Sequence, residues 1–205
     1  MQHRRITVAI TGASGIAYGL RLLECLIEYK VEVSLLISQA AHVVIAMETD
    51  FKLSGPPREI EELLTNKFNA QTGQLHVYGK DQWLAPIASG SNVSDAMVVC
   101  PCTSGTLAAI ACGSSDNLLE RAADVTLKEC KKLILVPREM PLSEIHLGHM
   151  LSLAKMGAVI MPASPGFYHQ PQSINDLVDF VVARILDHLN IEHELLPRWG
   201  ESTTD

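Results

Sequence analysis

Ala96-Met97-Val98-Val99-Cys100-Pro101-Cys102-Thr103-Ser104-Gly105-Thr106 is the stretch that decides the fold of this 205-residue chain. An apolar run ends in hydroxyls and a glycine, and a helix of small residues follows from about Leu107. That is a strand feeding a helix N-terminus, where unpaired backbone N–H groups favour an anion. A second junction of the same kind is Ile6-Thr7-Val8-Ala9-Ile10 followed by Thr11-Gly12-Ala13-Ser14-Gly15. Helix capping alone would account for one such loop, since Ser and Thr cap helices in any protein. Two of them in one chain point to a phosphate-bearing cofactor.

Working outward, short and nearly continuous apolar runs recur at 6–10, 33–37, 96–100, 133–136 and 158–161. Such runs predict strands covered on both faces. Helical patterns at 17–29, 40–48, 58–68, 105–112, 117–128, 142–156 and 174–189 separate them. The last opens with Ser173 and Asp176, an N-terminal capping pair. Alternation of this kind predicts an α/β fold with a parallel sheet and right-handed crossovers, as a single domain over residues 1–205. The polar stretch 52–82 reads as a peripheral excursion, and residues 201–205 as a frayed tail.

Composition narrows the partners. A net charge of −7 leaves no basic footprint for nucleic acid. Apolar residues make up 47% but aromatic residues only 5%, an aliphatic surplus that suits burial between subunits. Met1 is followed by polar Gln2-His3-Arg4-Arg5, with no signal-peptide core. No apolar stretch approaches the roughly 20 residues of a membrane helix. Five cysteines without framework spacing fit a reduced, cytoplasmic protein. Cys100 and Cys102 read as packing residues at a strand end. His146 and His149 could meet one metal, but no third ligand accompanies them.

Ligands of such folds sit beyond the carboxyl ends of the strands. Those ends carry Thr11–Ser14, Ser38, Thr103–Thr106, Arg138 with Glu139, and the segment from Pro162 to Tyr168. The first loop resembles the glycine loop of short-chain dehydrogenases. A dinucleotide site, however, needs an acid at the end of the second strand, where Ser38 stands. No tyrosine is followed four positions later by lysine, the pair those dehydrogenases use. A mononucleotide with one phosphate fits better, and flavin mononucleotide (FMN) is the obvious one.

Here the chain resembles the UbiX flavin prenyltransferases, formerly described as aromatic-acid decarboxylases. The likeness runs from about Arg5 to Glu201. Its motifs are Thr11–Gly15, the stretch from Trp83 to Ser91, Cys100–Thr106, Glu120–Val125, Val136–Glu139, Pro165–His169 and Pro197–Glu201. The resemblance implies a flavodoxin-like Rossmann fold with three layers, assembled as a homododecamer. It implies transfer of a dimethylallyl group from dimethylallyl phosphate to N5 and C6 of reduced FMN, without a metal. The product, prenylated FMN, would serve UbiD-type decarboxylases in ubiquinone synthesis or aromatic-acid breakdown.

The resemblance also implies roles. Gly12, Ala13 and Ser14 line the flavin, with Ser14 near N5 as a proton relay. Ser38, Thr103, Ser104, Gly105, Thr106 and Arg138 are the other FMN contacts. Ser89, Gly90, Arg121, Lys128, Tyr168 and Arg184 form the prenyl-phosphate clamp, where guanidinium forks stabilise the charge of the departing phosphate. Glu139 is the acid/base. Trp83 offers an aromatic face to an allylic cation. Glu48 closes the site from a neighbouring subunit, or is a surface-helix residue. Trp199 caps a neighbouring site, or docks the tail on a subunit surface. Two other readings stay open: an FMN-dependent cysteine decarboxylase, for which His42 but no late flap cysteine is present, and a noncatalytic FMN carrier.

Overall fold

Residues 6–10, 96–102 and 133–137 are buried without a break. A strand hides both faces only inside a sheet that is covered on both sides. These are the central strands β1 (Arg5–Ile10), β4 (Ala96–Cys102) and β5 (Lys132–Pro137) of a computed structural model that describes residues 4–198. Trp199 and the tail 201–205 lie outside the described residues. The chain divides into two compact units, residues 1–163 and 164–205.

In the first unit, β2 (Glu32–Ile37), β3 (Leu75–Tyr78) and β6 (Val159–Ile160) complete a parallel sheet in the order β3-β2-β1-β4-β5-β6. Without β3 this is the flavodoxin-like strand order that the resemblance implied. The stretch 52–82 is therefore more than an excursion, because it contributes a sixth strand that the sequence pattern did not predict. Leu75 and Val77 are buried, whereas His76 and Tyr78 are only half-buried, as at a sheet edge. Gln74 fastens this edge: its Nε2 donates to the carbonyls of Ile27 at 2.7 Å and Val31 at 3.2 Å.

Helices α1 (Ile16–Glu28), α2 (Gln39–Glu48), α3 (Pro57–Phe68), α4 (Ser104–Ala111), α5 (Leu118–Lys128) and α6 (Glu144–Lys155) belong to this unit. Ala9, Met97, Val99, Leu133 and Leu135 point to one face and join Leu107, Ile110, Leu119, Ala122 and Leu153 of α4, α5 and α6 in one core. Side chains alternate along a strand, so Ile10 and Cys100 point the other way. There α1 passes so close that a Cβ on Gly19 would lie 2.4 Å from the Cys100 carbonyl oxygen and 3.1 Å from Ile10 Cγ1. Helices thus cover both faces, giving three layers. Leu22, Leu23 and Leu26 of α1 have no exposed surface, and burial of each contributes about 2 kcal/mol. Cys100 and Cys102 are fully buried, as read from the sequence.

The second unit holds α7 (Ile174–His188). Ser173 opens it with the expected reciprocal cap: its hydroxyl accepts from Asp176 N at 3.2 Å, and Asp176 Oδ2 accepts from Ser173 N at 3.0 Å.

Candidate active site

β2, β1 and β4 are neighbours in the sheet, and each runs into a helix at its carboxyl end. Three helix N-termini therefore stand side by side at the point where the strand order reverses, the place where such sheets bind ligands. The three are finished differently. Ser38 Oγ caps α2 by accepting from Ala41 N at 3.2 Å. Thr103 Oγ1 caps α4 by accepting from Thr106 N at 3.1 Å, and donates to Thr106 Oγ1 at 2.9 Å. The residue before α1 is Gly15, with φ of +103°, a left-handed conformation that glycine adopts without strain. It has no side chain with which to cap.

Glu48, the last residue of α2, supplies the missing cap. Its Oε2 accepts from Gly15 N and from Ile16 N, both at 2.9 Å. The Ser14 hydroxyl also bonds the Glu48 carboxylate. Partial burial pushes Glu48 up, but the bonds from Ser14, Ile16 and Gly15 and the nearby Arg138 charge outweigh it, so its pKa lies below the usual carboxylate value. Glu48 is thus bonded to the first loop of its own chain. Ser14 is exposed and is not the helix cap.

Arg138 and Thr11 tie this rim together. Arg138 follows β5, and its Nε donates to the Ser14 carbonyl at 3.1 Å. Thr11 Oγ1 donates to the Pro101 carbonyl and accepts from Thr103 N, both at 2.8 Å. Gly12 abuts the first turn of α2, where a Cβ would lie 2.5 Å from Ala40 Cβ. Ala13 is buried beside it. Ser104 is half-buried and Gly105 exposed at the start of α4. Glu139 is exposed next to Arg138, and its Oε1 accepts from Met140 N at 3.2 Å. Among the described residues no cluster of His, Cys, Asp and Glu could hold a metal.

A second group of predicted residues gathers elsewhere. Arg121 Nε donates to the Ala88 carbonyl at 3.1 Å, and its Nη1 to Asp124 Oδ2 at 2.8 Å. The Ser89 and Ser91 hydroxyls are 3.0 Å apart. Lys128 pairs with Glu129 and lies 2.9 Å from where a Cβ of Gly90 would be. Trp83 precedes this turn in an exposed loop and lines a cavity of about 590 Å3 with Tyr78, Gln82 and Pro86. In the second unit, Tyr168 and Arg184 line one cavity of about 480 Å3.

A family model described as Flavoprotein matches residues 1–186. The chain is 59% identical over 197 residues to the flavin prenyltransferase UbiX of Pseudomonas aeruginosa, covering 96% of this chain and 94% of that one. The chain belongs to the UbiX flavin prenyltransferase family. Among solved structures it is similar to AnUbiX (PadA1) in complex with FMN and dimethylallyl pyrophosphate, with TM-score 0.86 and 41% identity, covering 98% of this chain and 100% of that one. It is likewise similar to a dodecameric FMN-dependent UbiX-like decarboxylase from Escherichia coli O157:H7, with TM-score 0.84 and 42% identity, covering 95% and 98%.

In this UbiX-family chain the predicted residues of the first unit do not share one pocket. Lys128 lies four residues before β5 begins, and Lys132 pairs with Ala96 at the amino end of β4. Ser14, Thr103 and Arg138 stand at the carboxyl ends. The seven residues of β4 span about 20 Å at ~3.3 Å each. Gly90 and Lys128 are thus about one strand length from the rim. Thr11 is the residue whose role the sequence did not disclose. Its signal was a hydroxyl placed directly after the apolar end of a strand, Val8-Ala9-Ile10.

Proposed function

We propose that this chain transfers a dimethylallyl group from dimethylallyl phosphate to N5 and C6 of reduced FMN, as a cytoplasmic homododecamer whose product serves a UbiD-type decarboxylase in ubiquinone synthesis or aromatic-acid breakdown. The observation that carries the reading is the chain of contacts Arg138–Ser14–Glu48 on the rim. It puts a hydroxyl, bonded to a carboxylate, where an acceptor at the strand ends must lose a proton.

The donor set fits FMN. The carboxylate of Glu48 already satisfies the N-terminus of α1, so an anionic phosphate belongs at the starts of α2 and α4. Ser38, Thr103, Ser104, Gly105 and Thr106 offer hydroxyl and N–H groups there, and Arg138 adds a guanidinium. Gly12 and Ala13 would lie along the flavin. FMN, when bound, supplies the nucleophilic atoms that take up the five-carbon group.

The chain's own residues do the rest. The Glu48 carboxylate accepts the Ser14 hydrogen bond and so orients that hydroxyl. Ser14 Oγ can then take up a proton as its own passes to Glu48, general base catalysis through one hydroxyl. Arg121, Lys128, Tyr168 and Arg184, with Ser89 and Gly90, bind the prenyl phosphate and stabilise its charge as the carbon–oxygen bond breaks. Glu139 helps protons move between the leaving phosphate and the flavin. Trp83 lays an aromatic face against the allylic cation.

A five-carbon phosphate ester cannot bridge a strand length. Gly90 and Lys128 therefore act on the rim of another copy, and the dodecameric relative supports such an assembly. The family model reaches residue 186 and so runs through both units, which supports one flavoprotein domain. No helix among the described residues is long and apolar enough to cross a membrane. The test is to incubate the purified protein with reduced FMN and dimethylallyl phosphate without oxygen and measure the flavin's mass. The reading expects a gain of one five-carbon unit. An unchanged flavin overturns it.

A further inference from the structure

The geometry points to Asp187 and His193 as positioning residues for Arg184 in binding the prenyl phosphate, an inference that rests on the prenyltransferase reading above. Arg184, Asp187 and His193 line the same cavity as Tyr168 and Phe180. Arg184 is exposed on α7. A long, exposed arginine samples many rotamers. To meet a phosphate at one fixed place, it must be held.

Asp187, one turn further along the helix, holds it. Its Oδ2 accepts from Arg184 Nη1. Its Oδ1 accepts from His193 Nε2 at 3.2 Å, so the carboxylate is itself fixed from the far side. His193 reaches this position because the chain reverses at the end of α7. Asn190 takes a left-handed φ of +52°, and Ile191 N donates to the Leu186 carbonyl at 3.0 Å. The His193 side chain is only 8% exposed. Its Nδ1 accepts from Leu195 N at 3.4 Å, which leaves the proton on Nε2, facing Asp187.

Asp187 thus occupies one edge of the guanidinium. The remaining N–H groups of Arg184 have no other partner among the described residues and keep the fork geometry that suits a phosphate. The same device recurs at Arg121, the other arginine of the clamp, whose Nη1 donates to Asp124 Oδ2, also three residues on. Neither Asp187 nor His193 touches the reacting atoms in this account. They act through Arg184.

The test uses full-length D187N, H193F and H193Q, with two readouts: calorimetric binding of dimethylallyl phosphate, and anaerobic prenylation kinetics alongside FMN affinity. Losing the ionised partner of Arg184 is expected to weaken dimethylallyl phosphate binding and raise its KM about tenfold in D187N, with FMN affinity unchanged. H193F should follow in the same direction. H193Q, whose amide still donates to Asp187, should stay near wild type. Wild-type binding and KM in both D187N and H193F would overturn the inference, as would a loss of FMN affinity equal to the loss of dimethylallyl phosphate binding. A wild-type protein that leaves FMN unprenylated would instead sink the functional reading, and the binding readout still judges Asp187 and His193.

Discussion

The carboxylate of Glu48 caps a helix 32 residues away in sequence: its Oε2 accepts from the backbone N–H of Ile16 at 2.9 Å. The last residue of α2 thereby completes the first turn of α1. One group serves the fold and the proposed chemistry together, because the same carboxylate also bonds Ser14.

Removing that cap should be measurable in stability. E48A leaves the N–H groups of Gly15 and Ile16 without their acceptor, and loss of a helix cap costs about 1 kcal/mol. Urea unfolding at neutral pH should show a lower midpoint with an unchanged slope. An unaltered midpoint would mean that water replaces Glu48 at no cost.

The pH dependence has a definite sign. The pKa of Glu48 is lowered in the folded chain from an ordinary value of 4.5. Its contribution to stability is therefore full above that value and is lost as pH falls through the lowered one. The stability gap between wild type and E48Q should be widest at neutral pH and close as the solution is acidified. A gap that widens in acid would contradict the assignment.

Ser14 makes a cleaner chemical test, since it caps nothing. S14A should keep the fold and still bind FMN, while prenylation slows about 100-fold, the lower range for loss of acid–base help. Retained turnover would remove Ser14 from the proton path. Glu139→Gln should likewise retain FMN and slow prenylation, and wild-type turnover there would remove the role given to Glu139.

Arg138 is exposed, so its replacement should act on the site and spare the core. R138A loses the bond from Nε to the Ser14 carbonyl and the guanidinium offered to FMN. A fall in FMN affinity of about tenfold is expected by fluorescence titration, the scale of one charge-assisted contact. Unchanged affinity would leave Arg138 with a purely structural bond.

Much of the sheet was legible, because Val8, Val98 and Ile134 sit in short, nearly continuous apolar runs, as strands covered on both faces do. The edge strand Leu75–Tyr78 was not, since half its side chains meet solvent and its four residues sit in the most polar part of the chain. Ser38 and Thr103 were readable because a cap is a local pattern. Glu48 was not placed, for its partners lie more than 30 residues away and no spacing announces them. Thr11 is tied across 92 residues to Thr103 and was equally silent. The distance of Lys128 from the rim could have been foreseen, because a residue just before a parallel strand stands at the end opposite the ligand.

That distance leads to the most direct measurement. S14A removes a residue of the rim, and K128A a residue of the clamp about one strand length away. Expressed alone, each variant should form little prenylated flavin. Co-expressed and purified as mixed oligomers, they should recover prenylation, because some sites then pair an intact rim with an intact Lys128 from another chain. Mixed oligomers no more active than the parent variants, by the mass of the flavin product, would contradict a site assembled from separate copies.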